Sequence, residues 1–171
     1  MEKQETNKEL ELLEVAMAAV KFLGLEGRCK EPFIRRLDWA HLVQVNLATQ
    51  HCSELNYPSY DYDLSVHLFL NPEGKIDSIC VNEFQASYDD YVNDLFEWHF
   101  DEVSKNTYFK KIGAGQLEVT SNIRERCVHT NQGVDKRTES TTTEVYEFDG
   151  DWKNLSSDMK KVGQVSKKIK K

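Results

Sequence analysis

The sequence contains no motif that identifies a reaction. It has no CxxC pair, no HExxH, no nucleophile elbow, and no glycine-rich loop that leads into Lys-Ser or Lys-Thr. The segment Gly113-Ala114-Gly115 has only the glycines of such a loop. These absences exclude the enzyme classes that depend on the motifs. They favour a protein without catalytic activity, and no catalytic residue is predicted.

Proline, glycine and long apolar runs are also scarce. Three Pro and eight Gly in 171 residues exclude a fibrous or disordered composition. No apolar run reaches the 18 or so residues that span a membrane, and the charged segment Met1–Glu11 has no apolar signal region. We therefore expect a cytoplasmic protein without a membrane span. The four cysteines are widely spaced and are expected to be reduced thiols: Cys29, Cys52, Cys80 and Cys127.

Basic residues are missing from one stretch and concentrated in another. Between Glu83 and Glu102 there are seven acidic residues, six aromatic residues and no Lys or Arg, whereas Lys160–Lys171 holds six Lys and no acid. Residues 1–159 contain 16 basic and 29 acidic residues and therefore carry a net charge of −13. Such a body repels phosphate backbones, so nucleic acid is expected to bind, if at all, only through Lys160–Lys171.

The apolar periodicities predict two helices and about five strands. The helices are expected over about Asn7–Leu23, where Thr6 and Glu9 form a capping box, and over about Tyr88–Ser104. Alternating residues on both sides of the Asn71–Gly74 turn predict a hairpin.

These elements predict an α+β fold, in which an antiparallel β-sheet of about five strands has the N-terminal helix and the central helix packed on one face. Residues 1–153 are expected to form a single α+β domain, and residues 154–171 a basic, Lys-rich C-terminal helix or flexible tail.

The predicted central helix is the main candidate for an interaction surface. Four of its acids recur at three and four residues and would form one stripe, and loop tyrosines offer a second patch. We expect a non-enzymatic module of chaperone, inhibitor or adaptor type that binds another protein through a basic surface. The predicted partner-binding residues are Tyr57, Tyr60, Asp90, Asp94, Glu97, Trp98 and Asp101.

A cone-shaped α+β domain around a small-molecule pocket is the alternative. His41 is predicted on the apolar face of its strand, in phase with Trp39 and Val43. With Arg35 and Tyr146 as further wall residues, it would serve as an acid or base for a bound ligand or substrate. A homodimer that covers the sheet edges is a further hypothesis.

One pair of residues has metal-ligand chemistry. Cys127 and His129 are two residues apart on a predicted strand, so their side chains point the same way. A tetrahedral zinc site needs two more ligands, and the only other Cys/His pair, His51-Cys52, is adjacent, so its side chains point apart. No metal site and no cofactor are therefore predicted.

Overall fold

The computed structural model describes residues 2–52, 59–92, 97–130 and 132–169. In these residues one α-helix precedes a single antiparallel sheet of eight strands that lie side by side in chain order. The elements are α1 Glu2–Phe22, β1 Phe33–Leu37, β2 Leu42–Cys52, β3 Ser59–Leu70, β4 Ile76–Val92, β5 Glu97–Lys111, β6 Gln116–His129, β7 Val134–Glu147 and β8 Lys161–Ile169. No helix in this part of the chain is long and apolar enough to cross a membrane.

The prediction of an α+β fold with a central helix and about five strands is wrong. The described residues of the predicted helix Tyr88–Ser104 lie in β4 and β5. Acids spaced four apart without basic neighbours repel one another on a helix, whereas aromatic residues favour strands. In the sheet an acid of this segment obtains a basic neighbour, because Glu102 lies directly opposite Arg126 of β6. Cross-strand pairing therefore determines the secondary structure of this segment, although its aromatic residues have helical spacing.

The predicted basic C-terminal helix or tail is also wrong. Residues 161–169 form β8, which pairs with β7 and forms one edge of the sheet, while β1 forms the other. The Lys161 ammonium lies 3.7 Å from the Glu144 carboxylate of β7. At the opposite edge, Arg35 and Arg36 of β1 are exposed. The β-branched residues around Gly163 fit a strand better than a helix, and both edges carry positive charge.

The hydrophobic core lies between α1 and one end of the sheet. The inner face of the sheet, defined as the face that carries Val66, Val81, Phe109 and Val119, packs on buried residues of α1. The ring of Phe109 meets Phe22 of the helix edge-on, with 5.3 Å between the ring centroids. Trp152, in a 3₁₀ turn after β7, closes this end and donates its indole N–H to the Ile76 carbonyl at 3.1 Å. The outer face of the same strands carries His67, Cys80 and Tyr108.

The pairing of β5 with β6 determines which residues share the inner face. It runs without a bulge from Lys111 opposite Leu117 to His99 opposite His129. Side chains alternate between faces along a strand, so every second residue from Phe109 back to His99 lies on the inner face. Thr107 is the last of these residues to be fully buried. Beyond it lies the distal end of the sheet, defined here as residues 97–105 of β5 and 123–129 of β6.

The inner face of the distal end has no hydrophobic core of its own in the part of the chain that is described; Val128, which is buried, lies on the outer face. The buried core cluster includes no residue from these two segments. Asp101 is eight residues from Phe109, which corresponds to roughly 26 Å along the strand. Something other than burial against α1 must therefore stabilise the inner face at this end.

We expect Phe109→Ala to lower the free energy of unfolding by about 3–5 kcal/mol, because the substitution leaves a cavity between α1 and the sheet. Urea denaturation measures the change. The neighbouring Tyr108→Ala is the matched control, since its side chain is on the outer face and 48% exposed; its loss should stay below about 1 kcal/mol. Equal losses in the two variants would contradict the assignment of the two faces.

The loop after β7 predicts a pH effect on stability. The Asp151 backbone N–H and the Asn154 side-chain amide donate to the Asp149 carboxylate and hold its pKa below the usual 3.8. This stabilisation is present above pH 3.8 and is lost as the pH falls through the lower pKa of the folded state. We therefore expect Asp149→Asn to lower the Tm at neutral pH and to match the wild type near pH 2. A difference in Tm that stays constant from pH 7 to about pH 2 would contradict this account.

Candidate metal site

A cluster of metal-ligating side chains lies on the inner face at the distal end of the sheet. Asp101 of β5 lies directly opposite Cys127 of β6, and His129 follows two residues later on the same face. One potential ligand atom from each of the three, a carboxylate oxygen, Sγ and an imidazole nitrogen, lies within 4.8 Å of the others. Strand pairing alone brings these three donors together, because the β5–β6 register is continuous from the core.

The geometry suits a small tetrahedral ion. The Cys127 Sγ and the His129 Nε2 are 3.2 Å apart. Ligands around zinc at its usual bond lengths of about 2.0–2.3 Å lie roughly 3.5 Å from one another, so sulfur and nitrogen already have the required separation. An Asp101 carboxylate oxygen lies within 4.8 Å of both atoms, which is close to the spacing of ligands around one ion.

The electrostatics of the cluster favour a cation. The hydrogen bond to the Asp101 carboxylate, with burial and the negative charge of Asp101, holds the pKa of the Cys127 thiol above its usual value, and Lys136 opposes this shift. Lys136 lies directly opposite Cys127 on β7. A dication that displaced the thiol proton would be balanced by one carboxylate and one thiolate, so the complex would carry no net charge.

His99 lies beside the cluster. It is directly opposite His129, and the two imidazole rings stack with 4.0 Å between centroids and 8° between planes. The Nε2 of His99 is buried and has no hydrogen-bond partner among the described residues. Buried polar atoms without a partner are uncommon in folded proteins, and a metal ion bound at this nitrogen would satisfy it.

A polar network lies at the border of the core, of which Tyr62 is a member. The Tyr62 hydroxyl of β3 donates to the Glu83 carboxylate of β4 at 2.8 Å, and the Arg28 guanidinium lies 4.8 Å from the Tyr62 ring centroid. Burial, together with the hydrogen bond to Glu83, raises the pKa of Tyr62. Tyr60, one of the predicted partner-binding residues, is half-buried beside this network and is hydrogen-bonded to Arg28.

In the described residues, strands replace the helix that was predicted to carry the acidic stripe. Asp101 is exposed on β5 and belongs to the metal cluster. Asp90 lies in β4, and Glu97 and Trp98 lie in β5, but their side chains are outside what the structure describes. Tyr57 and Asp94 lie outside the described residues altogether. Their role in binding a partner stays a prediction.

The residues of the predicted pocket are dispersed. His41 is exposed in the turn between β1 and β2, with a left-handed backbone at φ 49°, and lines an open groove of about 290 Å³ with Arg36 and Asp38. Arg35 and Trp39 are exposed, Trp39 by 84%, and neither is among the described residues that line this groove. Tyr146 packs edge-on against Phe22, and burial, together with its hydrogen bond to Glu144, raises its pKa to about 12.

The contribution of β5 to the cluster is not apparent from the sequence. The apolar periodicity predicts His99 and Asp101 on a helix, where residues two apart point in different directions. On a strand, a spacing of two places both on one face, as it does for Cys127 and His129. The sequence signal for the cluster is therefore the two-residue spacing within each of the pairs His99/Asp101 and Cys127/His129. This spacing indicates a shared site only when both segments are recognised as neighbouring strands.

The chain matches no family model, and neither a curated protein nor a solved structure resembles it significantly.

The hydrogen bond of Tyr62 predicts a measurable loss of stability. We expect Tyr62→Phe to lower the free energy of unfolding by about 1–2 kcal/mol, because a buried ring loses its bond to a charged acceptor. Urea denaturation of Tyr62→Phe, Glu83→Ala and the double variant tests the pair, because alanine leaves no acceptor at position 83. If removing the hydroxyl costs as much in the Glu83→Ala background as in the wild type, the bond to Glu83 is not the source of the loss.

Proposed function

We propose that this protein binds a transition-metal dication, with zinc as the best fit, through Asp101, Cys127 and His129. The observation that carries the proposal is the meeting of a thiol, an imidazole and a carboxylate within 4.8 Å on two paired strands. Cysteine sulfur and histidine nitrogen select zinc and related metals over magnesium and calcium, which prefer oxygen ligands.

The position of the cluster supports a structural role for the metal. The ligands come from two neighbouring strands at the end of the sheet whose inner face has no hydrophobic core in the described residues. A metal there would join β5 to β6 through their side chains and stabilise the inner face. The function we propose is therefore metal binding that stabilises or regulates the shape of the distal sheet, and it involves no chemical reaction.

The interpretation of the chain as a partner of another protein stays a prediction. The acidic helical stripe on which it was based is absent from the described residues, which are strands in this segment. A homodimer, a small-molecule pocket near His41 and a cytoplasmic location also stay predictions. None of them is required by the metal cluster, and none conflicts with it.

Zinc binding to the reduced, chelator-treated full chain tests the proposal. We expect one zinc per chain by isothermal titration calorimetry, with the affinity measured by competition against a chromophoric chelator. Cys127→Ser and His129→Ala should each weaken binding by at least about 100-fold, because changes outside the ligand set alone cost 10- to 100-fold.

The matched control for the cysteine is Cys29→Ser. Cys29 is a free, partly buried thiol near the end of α1 and does not belong to the cluster. It should bind zinc as the wild type does. Equal affinities in Cys127→Ser and Cys29→Ser, or a wild type that binds no zinc, would refute the proposed function.

A further inference from the structure

We infer that His99 is the fourth ligand of the proposed metal, which would then be held by a closed set of one cysteine, two histidines and one aspartate. The inference rests on the proposed function and specifies its coordination. It makes the site a structural zinc site, since structural sites have four protein ligands whereas catalytic sites keep one position open for water or substrate.

The β5–β6 register places His99 on the same face as the three clustered residues, next to His129. His99 is two residues from Asp101 on β5 and directly opposite His129 on β6, so all four side chains lie on the inner face. They form two cross-strand pairs, Asp101 with Cys127 and His99 with His129. Side chains of directly opposite residues start about 4.5–5.5 Å apart at Cβ, which is within reach of a shared ion.

The state of the His99 ring supports this assignment. Its Nε2 is buried and has no hydrogen-bond partner among the described residues. A lone pair in an imidazole lies in the plane of the ring, so the lone pairs of two stacked rings lie in nearly parallel planes that do not meet at one ion. To bind the same ion as His129, the His99 ring must turn about its side-chain torsions. The inference therefore includes a rearrangement in which metal binding replaces the stacking of the two rings.

The closed set also explains the charge of the cluster. Asp101 and the Cys127 thiolate contribute two negative charges, and two neutral imidazoles complete the shell without adding any. A zinc ion bound in this way is neutral as a complex. Burial of a neutral complex on the half-buried inner face costs less than burial of a charged one.

Cobalt(II) spectroscopy of the full-length chain tests the fourth ligand. Bound to the wild type, Co²⁺ should show a thiolate-to-metal charge-transfer band and the intense visible bands of a four-coordinate tetrahedral ion. In His99→Ala the charge-transfer band should remain, because Cys127 still binds, but the visible bands should weaken as water enters and the coordination number rises. Added imidazole should restore the intense bands by filling the vacated position.

Two further variants control for loss of a histidine elsewhere and for misfolding of His99→Ala. His67→Ala removes a half-buried histidine from the outer face and should leave the spectrum unchanged. His99→Cys should supply a second thiolate and about double the charge-transfer intensity, since two sulfurs would then bind one ion. This gain of signal does not depend on whether His99→Ala folds.

The outcomes separate the inference from the proposed function. A wild type without thiolate-to-cobalt charge transfer refutes the proposed function itself. A wild type with charge transfer, whose visible bands are the same in His99→Ala and whose intensity does not rise in His99→Cys, overturns the assignment of His99 and leaves metal binding by the other three residues intact.

Discussion

The unbroken antiparallel pairing of β5 with β6 is the constraint on which the candidate site depends. Because no bulge interrupts it, the burial of Phe109 against α1 fixes the face on which every second residue lies as far as His99. A slip of one residue would turn Asp101 and His99 to the outer face while leaving the strands themselves intact. The core at one end of the sheet therefore sets the chemistry of the inner face at the other end.

The two ends of the sheet are stabilised by different means. Near α1, aliphatic and aromatic side chains are removed from water, and Trp152 closes the layer. Past Thr107 the inner face becomes polar, first through the Tyr62–Glu83 network and then through the cluster around Cys127. One helix is too short to cover strands of up to 17 residues along their whole length, so part of the inner face must be stabilised without it. Polar pairs and a bound metal are ways to do so.

Local patterns predicted the N-terminal helix and the strands on both sides of the Asn71–Gly74 turn, because their apolar periodicity matches their burial. They failed between Tyr88 and Ser104, where aromatic residues at helical spacing occur in segments that pair as strands. The deciding interactions are non-local: Glu102 lies directly opposite Arg126, 24 positions along the chain. For the same reason, only the β6 half of the candidate site could be recognised from the sequence. Cys127 and His129 form a pair within one strand, but their connection to Asp101 and His99 exists only across strands.

The charges on the two edges have a consequence for how the sheet ends. An open sheet presents unpaired backbone groups along its outermost strands, and these groups attract further strands. Here β1 carries exposed Arg35 and Arg36 at one edge, and β8 carries exposed Lys161 at the other. Addition of a second copy, by either edge to either edge, would bring cations together and oppose growth into a continuous ribbon. The chain is acidic as a whole, yet its positive residues are placed where they limit self-association of the sheet.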